Sequence, residues 1–252
     1  MTNPTDIGRD RAYGEILRLD ELLDIACVRD EPDRTLFFAA HQSCEIWFAV
    51  ILCQLESARD ALTRGQADVA IDHIERLPHA MRVLSQHFDV LGLLTPESFD
   101  RIRATLGSSS GFQSAQYREI EFLCGTRDQR FLNTVGFTAR ERARLVARFE
   151  EKSLSRAFVE YRDRTRADGD PTAAERVHAG LAAFDEAVRS WRARHAALAE
   201  QFLGAARGTA GSSGAAYLWR STERTLFPEV FPPRVCGVAD GTDLEYASSV
   251  QP

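Results

Sequence analysis

The chain has 252 residues and a formal net charge of −6, so it has no general attraction to nucleic acid or to an anionic membrane surface. Its five cysteines include no Cys-x-x-Cys pair, which argues against a disulfide framework and a zinc site. The first residues are polar, unlike a secretory signal, and no run of about 20 uncharged apolar residues indicates a membrane span. We expect a cytoplasmic protein that binds neither nucleic acid nor membrane.

Apolar residues recur at helical spacing along most of the chain, and we find no convincing period of two. The pattern predicts an all-α fold with one helical-bundle domain over residues 13–231. Residues 1–12 are expected to form a flexible N-terminus, and residues 232–252 a flexible tail. In chain order, the predicted helices cover residues 13–28, 34–64, 66–91, 95–106, 112–125, 138–163, 172–203 and 215–225.

The predicted helix over 34–64 carries a histidine on an apolar face. Phe37 and His41 are one turn apart, and Glu45 follows one turn later, where it could orient the imidazole. A buried helix with one hydrogen-bonded histidine gives the same pattern. Both interpretations stay open at this point.

The predicted helix over 95–106 begins with Thr95 as a capping residue and Pro96 at the first helical position. Phe99 and Arg103 then share a face. An arginine among apolar neighbours suits a carboxylate ligand, although an internal salt bridge explains it equally well. The Gly-Ser break that includes Ser110 is either a plain connection or an anion site at the start of the next helix.

The predicted helix over 172–203 buries a second imidazole. Trp191, His195 and Phe202 fall on one face, whereas Arg192 and other charged residues are predicted to lie on different faces. A buried neutral imidazole needs partners for its nitrogens. A backbone carbonyl is one such partner, and a heme iron or another metal is another.

A Gly- and Ser-rich run, residues 207–214, follows this helix. It does not follow a strand, so nucleotide binding is weakly supported. One interpretation is a flexible linker. The other is a lid whose Thr209 hydroxyl meets a polar ligand.

Four separated segments, read together, resemble the tryptophan 2,3-dioxygenase family. The resemblance implies an all-helical, tetrameric enzyme with heme b, whose iron is used to add the co-substrate dioxygen across the indole C2–C3 bond of L-tryptophan. The implied product is N-formylkynurenine. The segments are His41-Gln with Glu45-Ile-Trp-Phe; Phe99-x-x-x-Arg103 with Ser110-Gly-Phe-Gln-Ser and Tyr117-Arg; Trp191-Arg-x-Arg-His195; and Gly208-Thr-x-Gly-Ser-Ser-Gly.

The resemblance also implies roles at the cofactor. His195 resembles the iron ligand of the family, and therefore the metal-binding residue. Ser110 matches a serine near the heme edge and a propionate. His41 resembles the catalytic distal histidine that meets the indole N–H.

Further residues are implied in substrate binding. Phe37 would pack against the indole, and Arg103, with Phe99 on the same face, would take the carboxylate. Thr209 resembles a threonine that contacts the polar end of the amino acid. Tyr13 matches a tyrosine that the family's N-terminal segment contributes to a neighbouring subunit's pocket.

Departures from the family pattern leave alternatives open. Ile16 stands where the family usually has a second pocket tyrosine, Ala210 replaces a loop glycine, and His87-Phe88 lies where the family tends to have a tryptophan. The alternative reaction is monooxygenation of a substituted tryptophan, such as a β-methyl derivative, to an oxindole-type product in natural-product biosynthesis. A non-catalytic heme sensor or carrier, and a helical interaction protein without cofactor, are further hypotheses.

Overall fold

The computed structural model describes residues 12–26, 31–168, 171–204, 206 and 213–231. Helices dominate these ranges and no strand occurs in them, which confirms the all-α prediction. The predicted flexible tail, and all of the predicted flexible N-terminus except residue 12, lie outside the described residues. The chain divides into two compact units, Met1–Ser43 and Cys44–Pro252, which we describe separately. One domain over residues 13–231 stays a prediction.

The described helices are short near the N-terminus and reach 32 residues in α3 and α10. They are α1 (Tyr13–Leu17), α2 (Leu19–Ala26), α3 (Pro32–Thr63), α4 (Ala67–Ile74), α5 (Leu77–Leu91), α6 (Pro96–Thr105), α7 (Ala115–Cys124), α8 (Ala139–Glu150), α9 (Leu154–Asp168), α10 (Thr172–Leu203) and α11 (Ala215–Ser221), with 3₁₀ turns at Gly111–Gln113 and Gln129–Asn133.

The first unit contains α1, α2 and the beginning of α3. Arg18 has a φ of 52°, in the left-handed region, and this residue separates α1 from α2. The single helix predicted over 13–28 is therefore wrong, because a left-handed residue cannot continue a right-handed helix. Within this unit, Gln42 Nε2 donates to the carbonyl of Ile25 at 3.5 Å.

Two other predicted helices are also interrupted. The helix predicted over 66–91 breaks before α5, where Pro78 lacks the amide that would continue the ladder. The helix predicted over 138–163 ends at Glu150, and a new helix begins at Leu154. Ser153 Oγ accepts from the amide of Arg156 at 3.1 Å, which satisfies one of the open donors at this new start.

The second unit is organised around α10, which packs along α4, α5 and α11. Gly180 permits the close approach to α4, because a Cβ there would lie 2.7 Å from Cγ2 of Ile74. The buried core includes Ile51, Leu55, Leu84 and Phe184.

Helix α3 is long and apolar enough to cross a membrane by length and composition, and it is the one such helix in the described ranges. The sequence pattern did not identify α3 as a possible membrane span, because Glu45 interrupts its run of uncharged residues. Within the second unit its residues Phe48, Ile51 and Leu55 are buried in the core. A core helix satisfies the same criterion.

Candidate active site

His195 lies in an aromatic cluster of the second unit. Its half-buried ring stacks almost parallel on Phe88 of α5, with centroids 5.4 Å apart and planes 9° apart. Trp191, one turn earlier on α10, has its ring centroid 5.7 Å away. Phe48 and Tyr117 pack against Trp191 at 5.9 and 5.3 Å. The imidazole is therefore oriented by Phe88 of α5 and by Trp191 of its own helix, which Phe48 and Tyr117 hold in turn.

Trp191 carries an unusual buried donor. The residue is 8% exposed, and its indole Nε1 has no hydrogen-bond partner among the described residues. Because a buried N–H without an acceptor costs free energy, we expect this N–H to donate to an oxygen atom of a ligand or to a water molecule. A heme beside His195 would bring carboxylates to this cluster, so the residues present fit a heme.

Arg192 is buried next to Trp191, at 5% exposure, which corrects the prediction that it lies on a different, polar face. Its guanidinium donates to Tyr117 Oη at 2.7 Å and to Glu121 Oε1 at 2.9 Å. It also donates to the carbonyls of Ser221 and Arg224 at 3.1 and 2.7 Å. The local pattern of α10 could not indicate these partners, because they come from distant segments.

The charges of this network are fixed. Burial alone would lower the pKa of Arg192, but Tyr117 and Glu121 outweigh it and raise the pKa, so the guanidinium stays charged. Burial raises the pKa of Tyr117, which keeps the phenol protonated. Glu121 also accepts from Arg118 Nη1 at 2.5 Å, so one carboxylate joins two arginines.

Helix α6 presents Phe99 and Arg103 on one face, as predicted. Thr95 caps it, since its Oγ1 accepts from the amide of Ser98 at 3.2 Å. Phe99 stacks on Phe202 near the end of α10, with centroids 4.4 Å and planes 14° apart. This contact brings α6 against the same helix that carries His195, while Arg103 is half-buried.

Ser110 precedes a 3₁₀ turn and is held by a residue that sequence reasoning missed. Its amide donates to Gln113 Oε1 at 3.1 Å, and Gln113 Nε2 donates to the carbonyl of Val135 at 2.9 Å. Gly136, with a φ of 100°, lies next to the side-chain amide of Gln113, and a Cβ at this position would collide with that amide. The available signal in the sequence was the glycine itself, because glycine is typical of backbone at a positive φ.

In the first unit, Phe37 and His41 are in contact on α3. Their ring centroids are 4.2 Å apart, and His41 Nδ1 lies 2.7 Å from the carbonyl oxygen of Phe37. Because a carbonyl only accepts, Nδ1 carries the proton, and Nε2 of the neutral ring is an acceptor. His41 is exposed and Phe37 half-buried.

The remaining predicted site residues are Tyr13 and Thr209. Tyr13 begins α1 and is 74% exposed. Thr209 lies outside the described residues, as does most of the Gly- and Ser-rich run. In the second unit, helix α6, which carries Phe99 and Arg103, packs against helix α10, which carries His195. Tyr13, Phe37 and His41 belong to the first unit.

The described residues contain no group of three or more His, Cys, Asp or Glu side chains that could hold a metal ion. A heme iron does not need such a group, since the porphyrin supplies the in-plane ligands and the protein only an axial one. An all-α protein with an imidazole beside an unpartnered buried donor has the elements of a heme-dependent oxygenase.

Comparison with known proteins identifies the family. The family model for tryptophan 2,3-dioxygenase matches residues 3–176. Similar proteins named tryptophan 2,3-dioxygenase occur in Nocardioides sp. (36% identity, covering 92% of this chain and 94% of the relative) and in Kineococcus radiotolerans (33%, 91% and 92%). Another occurs in Saccharopolyspora erythraea (33%, 91% and 94%). The chain belongs to the tryptophan 2,3-dioxygenase family and is an enzyme of the heme-dependent oxygenase class.

Proposed function

We propose that this enzyme binds heme b and adds both atoms of dioxygen across the indole C2–C3 bond of L-tryptophan, giving N-formylkynurenine. The observation that carries the proposal is His195 stacked on Phe88 beside the unpartnered indole N–H of Trp191, in a chain of this family. The heme, when bound, supplies a ferrous iron that makes dioxygen reactive toward the indole.

His195 would ligate the heme iron. Stacking on Phe88 and packing against Trp191 restrict the rotation of the imidazole before any cofactor binds. Ser110 would contact a heme propionate, and its backbone is already held through Gln113. Preorganised ligands of this kind lower the entropic cost of binding.

Arg103 would bind the substrate carboxylate, since its guanidinium can donate to both oxygens. Phe99 supports it by anchoring α6 to Phe202, and also provides apolar surface for the substrate. Thr209 would contact the polar end of the amino acid. Holding a zwitterion at both ends fixes the indole relative to the reactive oxygen.

His41 would accept the indole N–H. Its Nδ1–H donates to the carbonyl of Phe37, so the neutral ring has an acceptor at Nε2. Phe37 would pack against the indole. The exposure of His41 in a single chain is consistent with a residue that gains contacts when substrate binds.

The test is to load the protein with hemin, reduce it without oxygen, and add L-tryptophan and then oxygen, while the Soret band and product mass are followed. A heme spectrum with a product heavier by two oxygen atoms supports the dioxygenase. No heme binding, or no turnover of any tryptophan, contradicts it.

The alternative is monooxygenation of a substituted tryptophan, such as a β-methyl derivative, to an oxindole-type product. One oxygen atom then enters the substrate, and the other leaves as water with two electrons from an added reductant, or hydrogen peroxide replaces dioxygen and reductant. The pair His87-Phe88, which lies where the family tends to have a tryptophan, favours this alternative, because its Phe88 stacks on His195. A product heavier by one oxygen atom, or turnover only of the methylated substrate, would establish this reaction.

We also propose a cytoplasmic homotetramer in which Tyr13 enters a neighbouring subunit's pocket. Helix α2 has no buried residue, and Ile25 is 72% exposed. On α3, Ile46 and Val50 are exposed as well. Apolar surface of this extent usually lies at an interface between chains.

Light scattering should give four chains per particle if the proposal is correct. Activity should also appear when two inactive variants, Tyr13→Ala and His195→Ala, are dissociated and mixed, because hybrids then contain intact pockets. A monomer, or no activity in the mixture, would contradict the shared site.

A further inference from the structure

Arg192 joins three separate parts of the second unit. From α10, it donates to Tyr117 and Glu121 on α7, and to the carbonyls of Ser221 and Arg224 at and after the end of α11. Four hydrogen bonds of 2.7–3.1 Å use most of the five donors of a guanidinium. Such a buried fork fixes the rotation of α10 about its own axis at this turn.

This turn is also the one that carries the candidate iron ligand. His195 follows Arg192 by three residues and therefore shares a side of the helix with it, while Trp191 lies directly before it. Phe88 supports the imidazole from one direction by stacking. A rotation of α10 would slide the imidazole across Phe88, so the ring orientation depends on what holds the helix.

We infer that Arg192 is a positioning residue: its hydrogen bonds to Tyr117, Glu121 and the segment after α11 fix the turn of α10 that orients the His195 imidazole. The inference rests on the proposed heme-binding function. In this role, Arg192 contacts neither the substrate nor the iron.

The same helix provides a contrast that separates positioning from general stability. Arg189, one turn earlier, is half-exposed, and in the described part of the chain it pairs with Glu186 of its own helix alone, at 2.6 Å. Exposed pairs of this kind contribute little to stability and link no second element. Arg189→Lys therefore makes the same substitution on α10, with the charge kept, but removes no contact between α10 and α7.

The test compares Arg192→Lys and Tyr117→Phe with Arg189→Lys in the heme-loaded protein. Lysine keeps the charge but cannot reproduce the planar fork, and phenylalanine removes only the hydroxyl that accepts from Arg192. The readouts are the ferrous iron–histidine vibration by resonance Raman spectroscopy, and the rate of heme transfer to an excess of apomyoglobin.

We expect Arg192→Lys to shift or broaden the iron–histidine band and to speed heme loss by about tenfold or more, the scale for outer partners of a metal ligand. Tyr117→Phe should shift the band in the same direction with a smaller change in rate. Arg189→Lys should match the unmodified protein in both readouts.

An unchanged band and unchanged heme loss in Tyr117→Phe and Arg192→Lys would overturn the inference. If Arg192→Lys does not fold, Tyr117→Phe decides alone, because it leaves the ring packing and the other bonds of Arg192 in place. Failure of the unmodified protein to bind heme would instead contradict the proposed function, so the two failures are distinguishable.

Discussion

His195 and His41 are held by different kinds of structure. The His195 ring is set by tertiary packing, with Phe88 from another helix and a network that reaches α7 and the end of α11. The His41 ring is fixed by its own helix, through the carbonyl and ring of Phe37. Ligation of a metal demands one ring orientation, whereas a hydrogen bond to substrate tolerates local adjustment, and the two settings agree with these demands.

The largest effect is expected when the imidazole of His195, which tertiary packing holds, is removed. His195→Ala should lower the heme retained after gel filtration to roughly a tenth or less, because losing a ligand costs more than losing an outer partner. His178→Ala, an exposed histidine on the same helix, is the control and should retain heme fully. An unchanged heme content and spectrum in His195→Ala would remove it as the ligand.

A smaller effect is expected at α6, which packs against the same helix. Arg103→Leu should weaken L-tryptophan binding by about 1.5–3 kcal/mol, the scale of a hydrogen bond to a charged group. Titration of the heme spectrum with L-tryptophan measures this change. Arg101→Leu, an exposed neighbour bonded to Ser98 Oγ, should leave the affinity unchanged. Equal affinities for all three proteins would exclude Arg103 from the pocket.

Replacing His41, whose imidazole is held within its own helix, should have a smaller effect on the reaction. His41→Phe should lower kcat/KM for L-tryptophan by about tenfold or less, since one neutral hydrogen bond is lost. With N1-methyltryptophan, which has no indole N–H, the variant and the unmodified enzyme should react alike. If the variant is impaired equally on both substrates, His41 does not act through the N–H.

Thiol chemistry tests the packing itself, with little effect on activity. Burial raises the pKa of Cys44 to about 12 and raises that of Cys124 well above its ordinary value, whereas Cys53 is exposed. Since the thiolate is the nucleophile, alkylation at pH 8 should modify Cys53 first among the three cysteines in the described part of the chain. Labelling of Cys44 should still be rising with pH at the upper end of the range in which the fold is intact, because burial raises its pKa. Mass spectrometry of peptides checks the order, and early labelling of Cys124 would contradict the buried core.

The sequence predicted the helical class, the capped start of α6 and the shared face of Phe99 and Arg103, because these depend on local periodicity and capping. It failed where distant residues decide. Arg192 is buried only because α7 and the segment after α11 supply acceptors, and no pattern within α10 indicates them. The break at Arg18 had no glycine to mark it. The roles of the site residues remain predictions: Tyr13, Phe37, His41, Phe99, Arg103, Ser110, His195 and Thr209.

The position of Trp191 has an optical consequence. Porphyrins absorb where indoles emit, and Trp191 lies in van der Waals proximity to the aromatic cluster around the proposed iron ligand. A heme at His195 should therefore quench the emission of Trp191, one of the chain's three tryptophans. With Trp47 and Trp219 replaced by phenylalanine, the fluorescence of Trp191 would measure the fraction of subunits that carry the cofactor.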